Sequence, residues 1–201
     1  EKDPARQESM VRELEEIDKT IERTGTPAEL AKLNERRARV LQGLAEQASS
    51  DDERETWTRQ YADTVSAAAQ GGAFPGGIEL LRALLQKLKQ NSASAELIAY
   101  VEYRLLSADY AHKLQQPDAD YVKIQDQWQT DLLKFVTDYP RSEDTPEAML
   151  QLAVGEEFRG KTQEAVDWYG RIVDSFGESP QGKKAAGAKR RLQSVGNAIS
   201  L

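Results

Sequence analysis

The sequence predicts an all-α protein built from antiparallel helical pairs, with a helical hairpin at its N-terminus. Three observations carry the prediction. Apolar residues recur at the helical period along almost every segment, and no stretch alternates as a strand would. Breaks rich in Gly, Pro, Ser and Asp separate those segments. In the last third, Phe135-Val136-Thr137-Asp138-Tyr139-Pro140-Arg141-Ser142 matches Ile172-Val173-Asp174-Ser175-Phe176-Gly177-Glu178-Ser179 in type, at an offset of 37 residues. Each copy ends an amphipathic helix, and a Pro-containing helix start follows within about four residues, the pattern of stacked helix-turn-helix units.

Nine helices are expected. The first opens at Asp3-Pro4, a capping side chain followed by Pro at the first helical position. Met10, Leu14, Ile17 and Ile21 form its narrow apolar seam, typical of a hairpin, and Gly25 stops it. Thr26-Pro27-Ala28-Glu29 reads as a capping box that opens the second helix, which carries Leu30, Leu33, Val40, Leu41 and Leu44. A second box, Ser50-Asp51-Asp52-Glu53, opens the third, with Trp57, Tyr61, Val65 and Ala68 on one face.

The segment Gly71 to Gly77 holds four Gly and one Pro and cannot continue a helix. The fourth helix follows with Ile78, Leu81, Leu84, Leu85 and Leu88. The fifth, from about Ser94 to Leu114, is apolar on more than one face, which places it at the centre of the fold. Pro117-Asp118 is expected to start the sixth, with Tyr121, Ile124, Trp128, Leu132 and Phe135 facing inward. The last three span about 146–159, 162–176 and 180–195, and Thr145-Pro146 and Ser179-Pro180 repeat one cap-plus-Pro start. Gly196 ends the pattern. The domain reading is a hairpin over 1–48, a repeat array over 49–196, and a linker over 197–201 leading to a further C-terminal domain.

Composition narrows the function. Of 201 residues, 39% are apolar and 30% charged, which suits an elongated helical array with much surface for its core. A net charge of -7 argues against nucleic acid as the main partner. No apolar run approaches the roughly 18 residues that span a bilayer. Cysteine is absent, which excludes a disulfide, a thiolate metal site and a cysteine nucleophile within these residues. The chain opens on Glu1-Lys2 rather than Met, so the expectation is that a leading segment, with any targeting signal, has been removed.

No catalytic, metal or cofactor site is expected. His112 is the single histidine, and Asp109 three residues before it is ordinary helix chemistry. Glu156 and Glu157 are adjacent, so their side chains point about 100° apart and belong to a solvated helix face rather than to a shared-proton pair. The glycines at 71, 72, 76 and 77 lack the Lys-Ser/Thr of a phosphate loop. Ser-based catalysis lacks a nucleophile elbow.

Two features point to a partner. Tyr100, Tyr103, Tyr110, Tyr121 and Trp128 fall on two successive helices, and Tyr103 and Tyr110, seven apart, share a face. Core packing accounts for most of this set, and a groove for an extended peptide or a helix, anchored on Tyr103, Tyr110 and Trp128, is the functional alternative. The basic run Lys183, Lys184, Lys189, Arg190 and Arg191 is either a set of cations favoured near a helix C-terminus or a docking face for an adjoining domain or an acidic partner.

Residues 145–180 resemble the tetratricopeptide repeat. Ala165, Tyr169 and Ile172 hold the small-aromatic-aliphatic spacing by which that family knits its second helix to its first. Met149, Leu152 and Ala153 fit the first helix, and Gly160 fits the turn. The match departs at Glu156, where an aromatic is usual, at Gly177, where Pro is usual, and at Trp128, which replaces the small residue of the upstream copy. The resemblance implies a right-handed array of stacked pairs. The phrasing from Tyr139-Pro140-Arg141-Ser142 to Ser179-Pro180 is similar to periplasmic repeat proteins of the bacterial envelope. Most of the chain, and the segment Lys183 to Leu192 in particular, resembles the helical region preceding the thioredoxin-like domain of TlpA-type secreted disulfide reductases. What this implies is a non-catalytic scaffold or protein-interaction module, extracytoplasmic, with a thioredoxin-like domain in cis. A free-standing envelope assembly or peptide-binding protein is the alternative.

Overall fold

The computed structural model describes residues 3–194. Within them the protein is all-α: α1 (Pro4–Ile21), α2 (Pro27–Gln47), α3 (Asp51–Gln70), α4 (Gly77–Gln90), α5 (Ala95–Leu114), α6 (Tyr121–Asp138), α7 (Thr145–Phe158), α8 (Thr162–Phe176) and α9 (Pro180–Ser194). Val195, Gly196 and the linker expected over 197–201 lie outside the described residues.

The helix starts follow from local chemistry. Asp3 accepts from the Ala5 N–H at 3.0 Å and Pro4 opens α1. Ser50 accepts from the Glu53 N–H at 3.1 Å, one half of a capping box. The other half slips by one residue, because the Glu53 carboxylate takes the N–H and hydroxyl of Ser49, both at 2.6 Å. Ser94 caps α5 through the Leu97 N–H. One expected cap bonds differently and two expected starts move. Thr26 donates its hydroxyl to the Glu29 carboxylate, so its box closes between side chains and not on the backbone. Pro117-Asp118 forms a turn, and α6 starts at Tyr121 with Asp120 accepting from the Lys123 N–H at 3.2 Å. Thr145 is the first residue of α7, with Asp144 at the cap position.

The chain divides into two compact units between Ile124 and Gln125. In the first, α1 packs on α2 and α2 on α3, while α3 also packs on α4 and α5, which touch each other. The middle of this unit is therefore α3, not the fifth helix. Its face of Ala62, Val65, Ser66 and Ala69 is small enough for its neighbours to come close, and the Ser66 hydroxyl donates to the Arg104 carbonyl at 2.9 Å. The core gathers Leu41, Leu44, Val65, Leu81 and Val101. Phe74, from the glycine-rich break, joins it. The break folds back so that the N–H groups of Ala73 and Phe74 both meet the Ala68 carbonyl, with Gly72 at φ +72°. α5 is buried at Leu97, Ala99, Tyr100 and Val101, whereas beyond Val101 it is half-buried except at Ala108.

In the second unit α8 packs on α7 and on α9, and α9 also touches α7. Trp128, Leu132 and Phe135 of α6 are buried as expected, but Tyr121, which falls in the first unit, is 65% exposed. The two copies of the repeated pattern adopt one turn. The Ser142 N–H donates to the Tyr139 carbonyl at 3.2 Å, and 37 residues on the Ser179 N–H donates to the Phe176 carbonyl at 2.9 Å. Each serine oxygen then accepts from the next helix start, at the Asp144 N–H and the Gly182 N–H. Phe135 and Ile172, the equivalent positions before the turn, are both fully buried.

Candidate interaction surface

The aromatic candidates separate once placed. Tyr100 is core. Its ring lies under the Arg104 guanidinium at 3.5 Å and within 4.2 Å of that of Arg59. Its hydroxyl donates to Asp63 at 2.6 Å, and the other oxygen of Asp63 accepts from Arg104 at 2.9 Å. Burial, with the Asp63 carboxylate second, pushes the Tyr100 hydroxyl up to about 12. This cluster clasps α3 to α5, and it was not legible in advance because its members lie 37 to 41 residues apart.

Tyr103 and Tyr110 share the half-buried stretch of α5, with the Arg104 guanidinium 6.0 Å from the Tyr103 ring. Burial raises the Tyr110 hydroxyl above its ordinary value. Trp128 belongs to the second unit, where it is buried with 7% exposure. Tyr103 and Tyr110 are thus the two half-buried members of the three.

The basic run also divides. Lys183 and Lys184 lie near the N-terminus of α9, so the favourable dipole of a helix C-terminus does not account for them. They and Arg190 are exposed, whereas Lys189 is half-buried beside Gly170. Arg191 is committed within the fold, pairing with Glu157 at 2.7 and 2.9 Å. The same carboxylate accepts from the buried Tyr169 hydroxyl at 3.0 Å, so α7, α8 and α9 meet at one ion. Burial first, and Glu157 second, hold the Tyr169 hydroxyl at about 12.

The adjacent glutamates are not a solvated face. Glu156 has 14% of its side chain exposed and faces Arg159 and Lys161, both at 3.3 Å, while Glu157 carries the three-helix contact. They do point to different neighbours, as the 100° step requires. His112 sits 3.1 Å from the Gln116 amide nitrogen one turn on. Asp109 pairs with Lys113 at 2.6 Å. Among the described residues no group of three or more His, Cys, Asp or Glu is placed to hold a metal ion. No helix among them is long and apolar enough to cross a membrane.

Phe158, outside the set of expected site residues, is 89% exposed at the end of α7. Its signal was present: it falls off the Met149, Leu152, Ala153 seam that faces the core. Comparison with protein-family models, with curated proteins and with solved structures finds no match.

Proposed function

We propose that this chain is a non-catalytic helical-repeat module that binds a protein or peptide, with tetratricopeptide-like pairing in its last three helices. The observation that carries the reading is the turn repeated at 37 residues, the same hydrogen bond on equivalent residues after equivalent buried positions. Beside it, Ala165, Tyr169 and Ile172 on α8 are each at most 1% exposed, and Met149, Leu152 and Ala153 are buried on α7, the helix it packs against. Gly160 takes φ +73° in the turn between them, where a side chain would be strained. Arrays of such pairs present extended binding surfaces more often than catalytic sites. The resemblance to the helical region of thioredoxin-like envelope proteins supplies a setting, an extracytoplasmic module beside a redox domain in cis.

The binding face we assign is the half-buried stretch of α5 carrying Tyr103 and Tyr110, because aromatic anchors dominate such interfaces. The test is capture from a bacterial envelope extract, with the parent protein beside Tyr103→Ala/Tyr110→Ala protein shown to keep its melting transition. A partner held by the parent and lost by the folded variant supports the assignment. Equal retention by both proteins removes these tyrosines from the interface.

A further inference from the structure

We propose that the chain pairs with a second copy of itself through the outer faces of α8 and α9, the basic face of one copy lying on the acidic face of the other. α9 contains no acidic residue, and its exposed Lys183, Lys184 and Arg190 have no ion partner among the described residues. α8 carries exposed Glu164, Asp167 and Asp174, likewise without one, against the single exposed cation Arg171, so its outer face is acidic on balance. Elsewhere the protein matches charge across helices, as in Arg36 with Glu13, Lys89 with Glu102, and Arg159 with Asp126.

The two faces also agree in spacing. Lys183 and Arg190 are seven apart, as are Asp167 and Asp174, so both pairs repeat about every 10 Å along their helices. A three-residue turn makes α8 and α9 antiparallel neighbours. Under a two-fold axis, α9 of one copy on α8 of the other generates the reciprocal contact, so each charge match counts twice. Gly187 stands between the cations with nothing within 4 Å of where its Cβ would be, which lets a facing helix approach closely. The basic face has no large exposed apolar residue to sink into a lipid surface, so a second copy fits it better than a membrane.

This inference rests on the reading of the chain as an interaction module and names the partner of the α9 face. Its test is separate from capture through α5. Sedimentation equilibrium of the parent should show a dimer at about 20 mM salt that weakens at least tenfold at about 500 mM, where screening is strong. Lys183→Glu/Lys184→Glu/Arg190→Glu and Glu164→Lys/Asp167→Lys/Asp174→Lys should each be monomeric alone and dimerise when mixed, because the mixture restores opposite charge at both contacts. Should either triple variant fail to melt like the parent, Lys183→Gln/Arg190→Gln gives the same reading by loss of charge alone. A parent that stays monomeric overturns the proposal, as does a dimer indifferent to these variants or a mixture that fails to associate. Binding of monomeric parent to vesicles of anionic phospholipid, lost in the α9 variant, would overturn it in favour of a lipid surface.

Discussion

At Glu53 a carboxylate just inside a helix gathers the N–H and hydroxyl of Ser49 and the amide of Gln7, and these bonds hold it down at about 2 from the usual 4.5. A depressed acid contributes stability that is present above its unfolded value and lost as pH falls through its folded one. The melting temperature followed by circular dichroism should therefore fall between about pH 4.5 and pH 2. Glu53→Gln should flatten that part of the profile, and an unchanged slope would remove Glu53 from it. Tyr169 makes the complementary case for a single hydrogen bond. Tyr169→Phe keeps the ring and deletes the bond to Glu157, which should cost about 1 to 2 kcal/mol in urea unfolding. Arg191→Ala should cost less, about 0 to 1 kcal/mol, since Arg191 is 58% exposed.

At the scale of the element, two glycines of α9 should respond with opposite sign. A Cβ at Gly182 would lie 2.1 Å from the Phe176 carbonyl and 2.7 Å from the Gly177 Cα, backbone that cannot step aside. Gly182→Ala should destabilise by about 2 to 3 kcal/mol, the overpacking outweighing the gain in helix propensity. At Gly187 only the propensity remains, so Gly187→Ala should stabilise by up to about 1 kcal/mol. Equilibrium denaturation of both variants checks the pair, and two changes of one sign would contradict the packing. The two positions also show what sequence can carry. Helix starts at Asp3, Ser50 and Ser94 were legible because a cap and its N–H lie two or three residues apart. Gly182 was not, since its constraint comes from how α8 hands over to α9. Phe74 was hidden for a like reason. Its segment reads as a break, and only the fold of that break carries the ring into the core.

At the scale of the whole molecule, periodicity was enough for the all-α class, because one buried stripe per helix is a local property of sequence. Which helix sits in the middle was not local. The fifth looked central by its apolar spread, yet α3 holds that place through small residues that let its neighbours approach. The candidate surface divided in the same way. Tyr103 and Tyr110 are half-buried, while the same aromatic set gave up Tyr100 to a clasp built from Asp63 and Arg104, and Trp128 to the second unit's core.

The central claim is that a partner docks on the half-buried face of α5 and that no chemistry is done there. Calorimetric titration of the captured partner, purified, into the parent and into the folded Tyr103→Ala/Tyr110→Ala protein tests it most directly. The expected result is an affinity lower by at least tenfold, about 1.4 kcal/mol, with the partner released unaltered. An affinity the same in both proteins, or a partner that returns covalently changed by the parent, would contradict it.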